Sequence, residues 1–146
     1  MNRVEFCAKE IPLPPWIRSA GVFIRKVLRT LEKDKWDVSV LFCNNNYIKS
    51  LNSAYRKKNE PTDVLSFPLG DTSPSGRYLA GDIVVSLEAL KENTGFFTVT
   101  ENEELRRLLV HGILHLAGKD HKTNRVGESM LKTQEEILAL VTEKIL

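Results

Sequence analysis

Hydrophobic positions predict helix first over residues 16–31, where Trp16, Ala20, Phe23, Ile24, Val27, Leu28 and Leu31 recur at helical spacing and share one face. Pro14 and Pro15 suit the opening of that helix, since a first turn does not need their missing N–H. Short apolar runs predict strands at Val4–Cys7, at Asp37–Cys43, at Asp63–Phe67 closed by Pro68, and around Ile83-Val84-Val85. Asn44 is placed to cap a helix carrying Tyr47, Ile48, Leu51 and Ala54, with Pro61 expected to stop it. Residues 70–76 read as a turn-rich loop, and Ser86 or a neighbour as the start of a short helix ending near Gly95. Thr100 followed by Glu103 forms a capping box ahead of the core positions Leu105, Leu108, Leu109, Ile113 and Leu116. A last amphipathic helix over residues 126–146 uses Met130, Ile137, Leu138, Val141 and Ile145.

Helices and strands are thus both expected along the chain. No repeat, low-complexity tract or long linker divides residues 1–146, and a chain of this length buries a core without disulfides. Net charge is +2, too small to argue for nucleic acid unless charge clusters locally. Arg18, Arg25, Lys26, Arg29 and Lys33 line the polar side of the first helix and are expected to be a solvated face. Cys7 and Cys43 lack metal-ligand spacing and are expected to be buried, reduced thiols. With no signal-peptide pattern and no membrane-length apolar run, a cytoplasmic location without membrane contact is expected.

Candidate chemistry concentrates in one place. The three histidines are His111, His115 and His121, all on the flank or just beyond the end of the predicted fourth helix. A lone histidine on a helix flank is ordinarily a satisfied polar residue. Here three occur together, and Gly118 stands where a left-handed residue would end the helix and turn the chain back. His111 and His115 are one helical turn apart, and His121 is delivered by that turn. Three imidazoles suit one zinc ion and leave a fourth position open, as a catalytic site requires. The spacing is that of the extended zinc-protease signature, but its general-base glutamate is replaced by Gly112. Peptide hydrolysis by the usual route is therefore not expected. A phosphodiester target needs positive charge near the scissile phosphate, and Arg56-Lys57-Lys58 is the best cluster available. Glycine inside a helix costs about 1 kcal/mol, so Gly112 should have a packing reason or make room beside the metal.

The run from His111 to His121 resembles the signature of the YbeY family of endoribonucleases and ribosomal RNA maturation factors. Leu51-Asn-Ser-Ala-Tyr-Arg56, Pro61-Thr-Asp-Val-Leu-Ser-Phe-Pro68 and Gly81-Asp-Ile-Val-Val-Ser86 fit the same family in the same order. Lys119 and Ala117 depart from residues common at those positions, without removing a ligand. The resemblance implies a small α+β, zincin-like domain with a mixed, roughly four-stranded sheet packed by helices. It implies a zinc-dependent endoribonuclease for single-stranded RNA, acting in 16S ribosomal RNA 3′-end maturation and ribosome quality control. It implies one zinc ion on His111, His115 and His121, with Arg56 as a residue important for activity. Partners implied are ribosomal RNA and the small ribosomal subunit or its assembly factors, with no DNA. A metallopeptidase and a non-catalytic, metal-stabilised ribosome-associated factor are the alternatives. Asp63 and Asp82 sit at strand starts, where a turn or capping role is favoured over reaching the site; Asp120 is equally placed to cap the turn or to orient a ligand ring, and Met130 fits the core.

Overall fold

A computed structural model describes residues 1–118 and 124–146, with side chains described outside 119–128. Among the described residues are four strands, β1 (Arg3–Ala8), β2 (Trp36–Cys43), β3 (Val64–Thr72) and β4 (Tyr78–Ser86). The helices are α1 (Ile17–Thr30), α2 (Asn45–Arg56), α3 (Leu87–Phe97), α4 (Glu101–Leu116) and α5 (Asn124–Leu140). The strands form one sheet in the order β1-β2-β4-β3. β1 pairs parallel with β2, β2 pairs parallel with β4, and β3 lies antiparallel at the edge against β4. The sheet is thus mixed and four-stranded, as expected.

Local chemistry accounts for the element starts. The Asn44 side chain accepts from the Tyr47 N–H, Ser86 Oγ from the Ala89 N–H, and Thr100 with Glu103 closes a complete capping box. Each satisfies an N–H that the helix itself cannot pair. Glu101, Glu103 and Glu104 in the first turn of α4 complement the positive end of its dipole.

Several boundaries differ from the expectation. α1 begins at Ile17, so Pro14 and Pro15 lie ahead of the helix. α2 ends at Arg56 because Lys57 takes the left-handed conformation at φ 57°, four residues before Pro61. β3 continues through Pro68 to Thr72. An edge strand tolerates a proline because one side of its ladder is unpaired, and the β3–β4 register slips between Pro68 and Asp71. α3 continues two residues past Gly95 to Phe97. α5 stops at Leu140, and residues 141–146 follow without regular structure, although Val141 and Ile145 are still buried.

The two faces of the sheet are unequally covered. Val38, Val40, Phe42, Ile83 and Val85 join Phe23, Ile24, Leu28, Leu105, Leu109 and Ile113 in the main core, with Met130, Ile137, Val141 and Ile145 packed from the carboxy-terminal segment. The other face holds a smaller cluster of Cys43, Ile48, Leu65 and Val84 beneath α2. Cys43 is buried as expected, whereas Cys7 is exposed. Side chains alternate along β1, so Val4 and Phe6 join the main core and Cys7 points to the thinly covered face. Neither cysteine is in a disulfide. Lys26 of the basic α1 face pairs with Glu143 at 2.8 Å. Lys33 lies beyond the helix, over the Trp36 ring at 5.4 Å.

Candidate functional site

α4 is held against the sheet by its apolar stripe: Leu105, Leu109, Val110, Ile113 and Leu114 are fully buried. Gly112 belongs to that contact. A Cβ built there would lie 2.8 Å from Cγ2 and 3.0 Å from Cδ1 of Ile83 in β4. Gly112 therefore serves close helix-to-sheet packing, and position 112 has no room for the glutamate of the protease signature.

This approach sets the depth of the histidines. His111 and His115 are half-buried, their rings 4.6 Å apart and edge-on. The two Nε2 atoms are 3.1 Å apart. Nδ1 of His111 lies 3.1 Å from Oε1 of Gln134, which is itself only 3% exposed in α5. A carbonyl oxygen can only accept, so this contact places the proton of His111 on Nδ1 and a lone pair on Nε2. That is the tautomer an Nε2 metal ligand needs, fixed by a partner on its other nitrogen. Four tetrahedral zinc–nitrogen bonds of about 2.0–2.1 Å put neighbouring nitrogens about 3.4 Å apart, close to the observed separation. The donor set thus fits one shared metal ion. Gly118 has φ 86° and ends the helical turn as anticipated. His121 and Asp120 lie outside the described residues.

Each histidine of the pair lines a cleft of its own. One, of about 480 Å³, runs from His111 and Gln134 past Glu104 and Arg107 to Asp63, Asn93 and Phe97. Its floor is a polar network. Asn93 Nδ2 donates to Asp63 Oδ2 at 3.1 Å and to Glu104 Oε2 at 2.8 Å. Glu104 is 5% exposed, so this contact and Arg107 at 3.7 Å compensate a buried carboxylate. The other cleft, of about 620 Å³, joins His115 to Lys33, Trp36, Tyr78 and Gly118. Each of the two histidines therefore borders a cleft.

The remaining candidates divide. Asp63 reaches the His111 cleft, more than a turn role would require. Asp82 faces the opposite side of the sheet, near Cys7, Tyr55 and Phe67. Met130 is 1% exposed and belongs to the core. Arg56 is the last residue of α2, exposed, and lines neither cleft beside the histidines. Gln134 and Asn93 were not legible as site residues, because only the packing of α5 and α3 on α4 brings them to the cleft, whereas Glu104 lies two turns before His111 on α4 itself and could have been found from helical spacing.

The chain matches the family described as endoribonuclease YbeY over residues 10–142. It belongs to the YbeY endoribonuclease family. An endoribonuclease YbeY from Treponema denticola is 51% identical over 120 residues, covering 80% of this chain and 77% of that protein. The endoribonuclease YbeY of Treponema pallidum is 42% identical over 143 residues, covering 95% and 89%. A solution structure of a Thermotoga maritima protein superposes with a TM-score of 0.62 at 29% identity, covering 95% of this chain and 90% of that one. YbeY membership accounts for the order of the three upstream stretches and the histidine run. No helix among the described residues is long and apolar enough to cross a membrane.

Proposed function

We propose that this YbeY family member is a zinc-dependent endoribonuclease that cuts single-stranded RNA during ribosomal RNA processing, including maturation of the 16S 3′ end. It works in the cytoplasm on the small ribosomal subunit or its assembly intermediates. The observation that carries this reading is the His111–His115 pair, with Nε2 atoms 3.1 Å apart and each ring lining a cleft.

His111, His115 and His121 hold one zinc ion. Zinc bound there would supply Lewis acidity towards a phosphoryl oxygen. Gln134 keeps the His111 ring turned so that Nε2 faces inward. Arg56, at the end of α2, binds a phosphate of the substrate through its planar, permanently charged guanidinium.

Metal analysis combined with RNA cleavage tests the reading. The wild type should carry about one zinc per chain and cut a 3′-extended 16S precursor fragment. His115→Ala should lose both metal and cleavage. Arg56→Ala should keep its metal and cut more weakly. Full activity in His115→Ala would sink the metal-hydrolase reading.

A further inference from the structure

α3 ends in two aromatic residues that the fold does not use. Phe96 is 84% and Phe97 62% exposed, although burial of such rings is a principal source of folding stability. Their centroids are 5.3 Å apart and the rings are T-shaped, so each covers at most one face of the other. Phe97 is part of the wall of the His111 cleft. Asn93, one turn earlier on the same helix, lies in the same cleft and is tied to Asp63 and Glu104. The chain leaves Phe97 through Thr98 in the left-handed conformation, φ 54° and ψ 47°. A β-branched residue is strained there, and such strain is kept where a position matters.

A flat apolar wall above a hydrogen-bonding floor has the chemistry of a nucleobase site. Unpaired bases stack on aromatic rings and offer polar edges to neighbouring groups, and stacking tolerates any base. An apolar peptide segment would instead set its side chains against Asp63, Glu104 and Arg107. We propose that Phe97 is the stacking platform for one base of the RNA strand, flanking the phosphate held at the histidine pair, with Phe96 bracing it. The inference rests on the ribonuclease reading and names a substrate subsite within it.

The test uses a single-stranded RNA carrying 2-aminopurine, whose emission falls on stacking, placed in turn at each nucleotide flanking the cut. Phe97→Ala should raise KM about tenfold, with kcat, metal content and melting temperature kept, and Phe97→Trp should restore KM. Non-cleaving His115→Ala should still quench one labelled position, and adding Phe97→Ala should abolish that quenching. Wild-type cleavage with unchanged KM and quenching in the Phe97→Ala proteins would overturn the platform and leave the ribonuclease reading intact. Absence of wild-type cleavage would overturn the ribonuclease reading, while the quenching still decides whether Phe97 stacks a base.

Discussion

The two faces of the sheet do different work. On one, α1 and α4 press a continuous core against β2 and β4, and Met130, Ile137 and Val141 pack in behind α4. His111 and His115 ride on that clamped helix, with Gln134 reaching across from α5. On the other face α2 covers only Cys43, Ile48, Leu65 and Val84, and leaves Cys7, Tyr55 and Arg56 in contact with solvent. The lesson concerns tolerance. Metal ligands must be held within a fraction of an ångström, and a dense core supplies that. A long arginine side chain at a helix end can find a phosphate without such support.

The comparison breaks most visibly if matched cavities behave alike. Leu109 and Ile48 are both fully buried, one on each face. Leu109→Ala should cost about 3–5 kcal/mol, because the surrounding helices and sheet cannot close around the void. Ile48→Ala should cost nearer ~2 kcal/mol, since α2 is free to settle. Denaturant unfolding measures both, and zinc content separates them further. Leu109→Ala should weaken metal retention, and Ile48→Ala should leave it unchanged. Equal costs with equal metal loss would show that the faces are not mechanically distinct.

Much of this division was legible in the sequence, and the limit has a physical cause. Asn44, Ser86 and Thr100 announced three helices correctly because a cap is read within four residues. The flank position of His111 and His115 followed from helical period alone. Failures came where the answer depended on sheet order. Pro68 was read as the end of a strand, but it lies within an edge strand, where its missing N–H is tolerated. Cys7 was read as buried from its apolar neighbours, yet it faces the side that α2 does not fully cover. Gln134 is 23 residues from His111 in sequence and meets it only through the α4–α5 contact. Lys57 stopping α2 was unmarked because lysine carries no propensity for the left-handed region.

A smaller effect sharpens how closely α4 must approach the sheet. Gly112→Ala gains about 1 kcal/mol of helix propensity but drives a methyl group into Ile83 at 2.8 Å. Overpacking of this kind costs about 1–3 kcal/mol, so a net loss of up to about 2 kcal/mol is expected. The displaced helix carries His111, so zinc affinity should fall with stability. Combining Gly112→Ala with Ile83→Ala, which removes the clashing atoms, should recover much of whatever the alanine costs. Additive losses in the double variant would show that Ile83 is not what demands glycine.

The gentlest probe leaves the sequence intact and asks how often the thin face opens. Burial is the main cause that raises the Cys43 thiol to about 12, and its Sγ lies 3.6 Å from the Val85 carbonyl. With that value the reactive thiolate fraction at pH 8 is on the order of 10⁻⁴, and the group is also sealed from reagent. Iodoacetamide at pH 8 should therefore label Cys7 readily and Cys43 only as the chain opens. Cys43 sits beside Ile48 under α2, so Ile48→Ala should speed its labelling well before global unfolding. Leu109→Ala should speed it only in step with the loss of global stability. Mass spectrometry of the two cysteine peptides over time gives both rates. If both variants accelerate Cys43 only through global unfolding, α2 is locked to the rest of the domain as firmly as α4.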